Sequence, residues 1–283
     1  MLRQCRVPVS LLLVFFWPVP GGAQDKTFEA VVSLEPLGRL ALETGRGTVR
    51  LTSWDRATVD IQARISAPMA VDGGEAQRSV DGTTIEVRGR RRSVRIRSVY
   101  SALPAPVHYE IRAPRDVDLD LTIDRSDTLL DGFEGRLLLQ FYGSDLTAND
   151  LTGTIVLDLD RGAFHGVDLS GAISLGLDRG QSVVLERVRG SLQFDLDRTS
   201  ATMREVQIDG DSLIGIDRGD LELQLVPGQA LTVEADVTDR SDVSSDLPVT
   251  FQQGGRRLQG SLNGGGPSLK ITADRGSIQL DTN

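Results

Sequence analysis

The sequence predicts an all-β protein, a parallel β-solenoid or β-helix-like stack of repeats preceded by an N-terminal region of β-strands and a hairpin. Three observations support this prediction. Apolar and polar residues alternate with a period of two, which is typical of half-buried strands. From residue 124 onward an Asp-Arg pair recurs about every 18–20 residues. A glycine stands seven residues before most of these pairs.

The first segment, residues 1–23, is predicted to be a secretory signal peptide. Two arginines precede the apolar run Leu11–Trp17, and the small residues Gly21–Ala23 follow it. The run is too short to span a bilayer, and no later segment is long and apolar enough to do so. We therefore expect an exported protein, either periplasmic, at the cell surface or secreted, with no transmembrane segment after cleavage behind Ala23.

Composition excludes several function classes. The chain has 283 residues, of which 40 are acidic and 31 basic, and its net charge is −9. Removing Arg3 and Arg6 with the signal peptide leaves 29 basic residues against 40 and a net charge of −11. Such a chain does not fit a nucleic-acid partner, which requires a basic surface. Two histidines and one cysteine are too few for a His/Cys metal site, and we expect no cofactor.

Residues 24–106 form the predicted N-terminal β region, which we expect to continue into the solenoid. Its strands are predicted at Phe28–Val32, Leu40–Leu42, Thr48–Leu51 and Val59–Ala63. Thr84–Arg88 and Ser93–Arg97 alternate on either side of Gly89–Arg92, which indicates a hairpin. The segments Ala67–Gly74 and Ser101–Pro106 are rich in Pro, Gly and Ala and are predicted to be loops.

Residues 107–283 form the predicted repeat region. Tyr142-Gly143 takes the place of one Asp-Arg pair, and the intervals from residue 124 to residue 239 are 18, 18, 18, 19, 20 and 22. The glycines at the fixed offset are Gly135, Gly153, Gly171, Gly190 and Gly210. Each unit therefore consists of a strand of constant length and a return segment of variable length.

Within the constant strand the apolar positions align from one unit to the next. Leu159, Leu177 and Leu196 occupy equivalent positions and are predicted to stack as one buried column. A meander of hairpins would give the same period. Stacking is favoured because a meander requires the return segment to alternate as strictly as the strand, and it does not.

The Asp-Arg pairs are the first candidate site. Stacking would place the carboxylates about 5 Å apart, where they repel each other, and an adjacent column of arginines would offset that repulsion. A structural charge ladder is therefore the favoured interpretation, and a surface for a polymer ligand or for cations is the alternative. Calcium is disfavoured because the nonapeptide calcium-binding repeat is absent and each Asp has an Arg beside it. The candidate residues are Asp124, Arg125, Asp160, Arg161, Asp178, Arg179, Asp197, Arg198, Asp217 and Arg218.

The second candidate is a basic patch on the predicted hairpin. A solvated edge whose charge discourages edge-to-edge pairing is the favoured interpretation. Contact with anionic envelope polymers or lipid headgroups is the alternative. The patch consists of Arg88, Arg90, Arg91, Arg92, Arg95 and Arg97.

Catalytic motifs are absent from the sequence. No nucleophile elbow, zincin motif, Walker A motif or dinucleotide fingerprint occurs. His108 and His165 fall in different parts of the repeat scheme and are predicted to be surface or turn residues. Carboxylate pairs with a spacing that suits a glycosidase occur many times, for example at Asp118/Asp120, Asp158/Asp160 and Asp195/Asp197. Because they are so frequent, they do not identify a catalytic site. We predict no enzymatic activity and no catalytic residues.

Three segments resemble the bacterial DUF4097 "putative adhesin" family. Gly45–Ile61 resembles its opening, with a Gly turn, a short strand and a Trp-Asp pair. Val107–Pro114 resembles the strand that leads into its repeats, and Gly260–Ile271 resembles its Asn-Gly-Gly-Gly-Pro turn and last strand. Asp-Arg stands here where the family has Gly-Ser-Gly-Asp-like turns. The resemblance implies a β-solenoid-like export domain with no assigned catalytic residues.

These observations predict an exported, non-enzymatic β-repeat protein that acts as an adhesin or as a structural or envelope-polymer-binding module. Its expected partners are cell-surface or envelope polymers or proteins. A β-helix carbohydrate-active enzyme, either a glycoside hydrolase or a lyase, is one alternative. An accessory domain in envelope stress signalling is another.

Overall fold

A computed structural model describes residues 25–68, 73–238, 240–252 and 256–282. Within these ranges the chain forms one helix, α1 (Gly73–Gly82), and twenty strands that belong to a single, mostly parallel sheet. The strands are β1 (Lys26–Ser33), β2 (Gly38–Trp54), β3 (Thr58–Ile65), β4 (Thr84–Arg90), β5 (Ser93–Val99), β6 (Val107–Pro114), β7 (Val117–Asp131), β8 (Glu134–Tyr142), β9 (Leu146–Asp160), β10 (Ala163–Asp178), β11 (Ser182–Asp197), β12 (Ala201–Ile208), β13 (Ser212–Asp217), β14 (Leu221–Leu225), β15 (Leu231–Val237), β16 (Ser241–Ser245), β17 (Thr250–Gln252), β18 (Arg257–Leu262), β19 (Ser268–Ala273) and β20 (Gly276–Thr282).

The repeat region stacks parallel strands in register. Leu177 on β10 lies opposite Leu159 on β9 and Leu196 on β11. All three side chains are almost fully buried, which confirms the predicted column. Hairpins pair antiparallel strands, so this parallel pairing excludes the meander for β7 to β14.

The long strands bend once, so each contributes to two rows of pairs. The first row contains the halves that carry the Asp-Arg pairs, in the order β5, β2, β7, β8, β9, β10, β11, β13, β19 and β15. The second row contains the other halves, in the order β1, β3, β6, β2, β7, β9, β10, β11, β12, β14, β20 and β16. Both rows contribute to one hydrophobic core.

The glycines at the fixed offset mark the bend between the rows. Gly153, Gly171 and Gly190 lie opposite one another and have φ values of 123°, 121° and 144°. A Cβ on Gly171 would lie 2.0 Å from the carbonyl oxygen of Gly153, and one on Gly190 would lie 1.8 Å from that of Gly171. The bend therefore requires glycine for both its dihedral angles and its close backbone approach.

At the C-terminal end the spatial order departs from chain order. β19 pairs in parallel with β13 on one side and with β15 on the other. β18 returns antiparallel to β15. The rung after Asp217 is therefore Asp274, although Asp239-Arg240 is the next pair in the sequence. Asp239, the acid of the intervening pair, lies outside the described residues.

The N-terminal strands join the same stack. β2 pairs in parallel with β7 along both of its halves, and β4 and β5 form the predicted antiparallel hairpin. The helix α1 was not predicted from the sequence, which indicated a loop from Ala67 to Gly74. α1 has a glycine at each end and buries only Ala76, Ser79 and Val80, so it leaves little periodic signal. The predicted signal peptide, residues 1–23, lies outside the described residues.

Candidate functional site

Each Asp-Arg pair turns the chain from the first row into the second. Arg161, Arg179 and Arg198 have left-handed φ values of 60°, 55° and 54°. The backbone N–H of Arg161 donates to the carbonyl oxygen of Asp178 at 3.1 Å, and that of Arg179 donates to Asp197 at 3.0 Å. At each of these turns, the N–H of the arginine therefore forms a backbone hydrogen bond with the aspartate of the next repeat.

The side chains of these pairs form a ladder of ion pairs along one edge, with contacts both within a repeat and between repeats. Arg179 donates through Nε to Asp178 at 3.1 Å and through Nη2 to Asp160 at 3.0 Å. Arg198 and Arg218 likewise bridge their own aspartate and the one in the preceding repeat. Arg275 bridges Asp274 and Asp217. The carboxylates are thus separated by guanidinium groups, as the structural interpretation of the ladder requires.

The ladder changes the ionisation of its aspartates. Burial favours the neutral form of Asp178, but the charges and hydrogen bonds of Arg179 and Arg198 outweigh it, and the pKa of Asp178 is lowered. The pKa of Asp217 is lowered in the same way, with burial opposed by Arg218 and Arg275. Both ladder carboxylates are therefore held in the charged form.

The ladder is interrupted at Tyr142-Gly143. Arg161 lies next to this rung, and among the described residues it pairs only with its own Asp160, while Arg125 pairs only with Asp124. Their side chains are 63% and 58% exposed, whereas that of the doubly paired Arg218 is 40% exposed. Exposure thus increases where the bridging contact is missing.

A second column of left-handed residues lies on the opposite edge and was missed from the sequence. It contains Asp150, Asp168 and Arg187, with φ values of 50°, 57° and 53°. Arg187 forms a two-point pair with Asp168 at 2.7 and 2.9 Å, which lowers the pKa of that carboxyl. Each of the three residues stands three positions before a bend glycine, so a fixed offset from that glycine was the available signal.

The basic patch occupies the β4–β5 hairpin at the first row's N-terminal end. Arg91 and Arg92 form the turn, and Arg88 lies opposite Arg95. Three of its arginines have acidic partners: Arg88 pairs with Glu86 at 3.1 Å, Arg97 with Glu43 at 3.1 Å and Arg91 with Glu35 at 3.9 Å. The other three, Arg90, Arg92 and Arg95, have none within the described part of the chain. The structure therefore separates the patch into a paired half and an unpaired half.

A large concave surface lies on the outer face of the second row, and neither candidate motif pointed to it. This groove has a volume of about 720 Å³ and crosses β1, β3, β6, β2, β7 and β9. Its walls include the outward side chains of Glu29, Gln62, Arg64, His108, Glu110, Thr48, Arg50, Asp127 and Thr147. Sequence reasoning missed it because the groove depends on bringing β1 and β3 beside β6, which alternation alone does not specify.

His108 is fixed within the groove. Its Nδ1 lies 3.1 Å from Thr48 Oγ1, and its Nε2 lies 3.1 Å from Ser66 Oγ. Burial and the charge of Arg64 lower its pKa, and Asp25 acts in the opposite direction. The imidazole is therefore held in the neutral form with both nitrogens engaged, which favours a positioning role over proton transfer. His165 lies exposed on β10, outside the groove.

Several charged groups in the groove lack a partner. Arg50 lies directly opposite Glu110 on the neighbouring strand, yet no hydrogen bond or ion pair joins them or connects either to another described residue. Glu29 and Asp127 are also without an ion pair in the described ranges. These groups contrast with the arginines of the ladder, which are bound to carboxylates. The groove thus presents donors and acceptors that remain available.

The floor beneath the groove is held by buried hydroxyl groups. The hydroxyl group of Tyr109 forms a 2.8 Å hydrogen bond with Ser98 Oγ, and Ser98 Oγ forms another of 2.8 Å with Thr44 Oγ1. Burial raises the pKa of Tyr109, with smaller opposing contributions from the hydrogen bonds. The network crosses from the second row, on β6, to the first row, on β5 and β2, and so ties the two rows together below the groove.

Comparisons with known proteins identify no family. No protein-family model matches the chain, and no curated protein matches it significantly. The resemblance to DUF4097 therefore has no support from a family model.

Solved structures that the comparison matches to this chain include three bacterial proteins. A "putative cell adhesion protein" of Clostridium sporogenes is 10% identical, with 91% of this chain and 100% of that chain covered and a TM-score of 0.28. A "putative adhesin" of Bacteroides fragilis is 11% identical, covers 91% and 97%, and has a TM-score of 0.32. A "putative lipid binding protein" of Parabacteroides distasonis is 10% identical, covers 90% and 96%, and has a TM-score of 0.32. Similarities this low assign neither fold nor function to the chain.

The described residues lack both a membrane-spanning helix and a cluster of metal ligands. They contain no helix that is long and apolar enough to cross a membrane. In the same ranges no group of three or more His, Cys, Asp or Glu side chains is placed to hold a metal ion.

Proposed function

We propose that this protein is an exported, non-enzymatic β-solenoid that binds an extended polymer of the cell envelope in the groove of the second row. The observation that carries the proposal is the set of donors and acceptors in that groove, Arg50 and Glu110 above all, that have no partner among the described residues. Export is supported by the order of basic, apolar and small residues in residues 1–23. The solenoid architecture is supported by the in-register parallel pairs that recur with the sequence repeat.

The chemistry of the groove favours a neutral, hydroxyl-rich polymer such as a polysaccharide. Guanidinium, carboxylate, amide and hydroxyl groups of Arg50, Glu110, Gln62 and Thr147 line one surface, and their charges are mixed in sign. Sugars are recognised through such donors and acceptors. The groove crosses six strands, which at about 4.8 Å per strand gives a length of roughly 25 Å, enough for several monomers.

The ladder supports the division between structure and binding. Its aspartates and arginines already satisfy one another from Asp160 to Arg275. Binding a ligand there would require these pairs to break. The groove imposes no such cost at Arg50 or Glu110, so we assign stability to the ladder and recognition to the groove.

A glycan array tests the proposal. The mature chain should bind a defined set of envelope polysaccharides, and Arg50→Gln with Glu110→Gln should abolish retention by removing both charges. The matched control is Arg204→Gln with Glu222→Gln, which removes one charge of each sign from the same row outside the groove. Equal retention by the two double variants, or no glycan bound by the wild type, would refute the assignment. Release of altered glycan products would favour the carbohydrate-active enzyme instead.

A further inference from the structure

The outer face of the first row changes the sign of its charge along the stack. At its N-terminal end stand Arg90, Arg92 and Arg95, which lack an acidic partner in the described chain. Arg95 lies opposite Arg88 on one side and Ala41 on the other, so neither neighbour offers it a carboxylate. Like charges directly opposite each other destabilise a strand pair. The hairpin therefore carries positive charge that the described residues do not neutralise.

The middle of the same face carries negative charge that is equally unmatched. A cleft of about 320 Å³ is lined by Tyr142, Asp158, Asp195 and Gly176 together with ladder aspartates. Asp158 and Asp195 lie on either side of Gly176 in register, and both are exposed. Within the described ranges neither carboxylate has a hydrogen bond or an ion pair. Gly176 leaves the space between them open.

The two surfaces match in spacing. Asp158 and Asp195 lie two strands apart, which corresponds to about 10 Å. Arg92 lies in the turn and Arg95 on β5, so their Cα atoms are at most about 11 Å apart, and their long side chains can span the separation of the two carboxylates. Beside the cleft Tyr142 is 44% exposed, and an aromatic ring of this kind accepts the face of a guanidinium group.

From this complementarity we propose that the β4–β5 hairpin of one copy docks on the acidic cleft of a second copy, with Arg92 and Arg95 against Asp158 and Asp195. The half-buried Leu138 and Val156 and the exposed Leu213 lie on the same outer face and give the contact apolar area. Both surfaces lie on the same face, so two copies can form the contact once, head-to-tail, or twice about a two-fold axis. This self-association is independent of the groove proposed above.

Sedimentation velocity on the mature chain tests this inference. At low salt the wild type should form species larger than a monomer as concentration rises, and high salt should return it to the monomer. Arg92→Glu with Arg95→Glu should weaken association by about tenfold or more, and so should Asp158→Arg with Asp195→Arg. Arg204→Glu with Arg240→Glu changes the net charge as much as the first variant does and should associate like the wild type.

Mixing the variants gives the decisive result. The arginine variant keeps an intact cleft and the aspartate variant keeps an intact hairpin, so an equimolar mixture should form a 1:1 dimer that grows no further. A chain with all four substitutions should assemble again, since the charges are exchanged. If one variant fails to fold, the other still reports whether association is lost.

Three results would overturn the proposal. The wild type could remain monomeric at low salt up to about 100 μM. The arginine and aspartate variants could fail to pair with each other. Vesicles containing phosphatidylglycerol could retain the wild type through Arg92 and Arg95 while no self-association occurs, which would assign the hairpin to a lipid surface. None of these results bears on glycan binding by the groove.

Discussion

The guanidinium of Arg198 lies between two carboxylates of successive repeats, with Nη2 3.1 Å from Asp178 Oδ1 and 3.0 Å from Asp197 Oδ2. The same contact recurs one rung further on, between Arg218 and the carboxylates of Asp197 and Asp217. A single exposed ion pair contributes little to stability. Repetition along the edge turns these pairs into a network in which each carboxylate is screened from the next.

Removing the bridging arginines should destabilise the fold in a salt-dependent way. In the variant with Arg179→Gln, Arg198→Gln and Arg218→Gln, the stacked carboxylates have lost their counter-charge and repel each other. The melting temperature should fall, should fall further at low salt and should recover partly as salt screens the column. Thermal unfolding at two salt concentrations measures this. A melting temperature that responds neither to the substitutions nor to salt would show that the ladder contributes nothing to stability.

Stability should also depend on the ionisation of the ladder aspartates. The pKa values of Asp178 and Asp217 are lowered in the folded state, so both stabilise the fold above the ordinary carboxyl pKa of about 4 and lose this contribution as pH falls through the lowered folded value. The melting temperature of the wild type should therefore drop between about pH 5 and pH 3. Asp178→Asn with Asp217→Asn should drop less over the same interval. Equal drops would contradict the assignment.

The bend between the rows depends on glycine. Gly171→Ala places a Cβ 2.0 Å from a backbone oxygen at a φ of 121°, and it should cost about 1–3 kcal/mol or more. Urea unfolding gives the free energy. Gly73→Ala is the matched control, because a Cβ there meets nothing within 4 Å and Gly73 begins the helix α1. A variant at Gly171 as stable as that control would show that the bend tolerates side chains.

The buried leucine column should carry much of the stability. Leu177→Ala leaves a cavity between Leu159 and Leu196 and should cost about 2–5 kcal/mol in the free energy of unfolding. Leu213→Ala removes a leucine that is 41% exposed, and it should cost much less. Equal losses of stability at the two positions in urea unfolding would mean that the buried and exposed faces of β10 and β13 are assigned wrongly.

Local patterns predicted the repeated elements well. The alternation of Leu, Ile and Phe identified the buried column, and the run of residues around Gly89–Arg92 identified the β4–β5 hairpin, because both are fixed by neighbours in sequence. The fixed glycine offset was visible in the sequence, but the bend at these glycines and its cause, the approach of one glycine backbone to the next, became visible only in the structure.

Long-range pairing could not be predicted in the same way. Nothing in the sequence indicates that β19 enters between β13 and β15, because both neighbours present similar alternating faces to it. The groove could not be predicted for the same reason. It arises from a long-range pairing, where the antiparallel β1 and β3 join the parallel stack beside His108. The repeat singled out the ladder aspartates as residues, but their pairing with the preceding repeat depends on the turn geometry of Arg179 and its equivalents, which the sequence does not specify.

The central claim is that the ligand binds in the groove and not on the ladder, and one binding measurement tests it directly. On a glycan that the wild type retains, binding is measured below the melting temperature of each variant. The account predicts that the arginine-ladder variant, with Arg179, Arg198 and Arg218 replaced by Gln, binds like the wild type, whereas Arg50→Gln with Glu110→Gln does not bind. Loss of binding by the folded ladder variant, with binding retained by the groove variant, would contradict it.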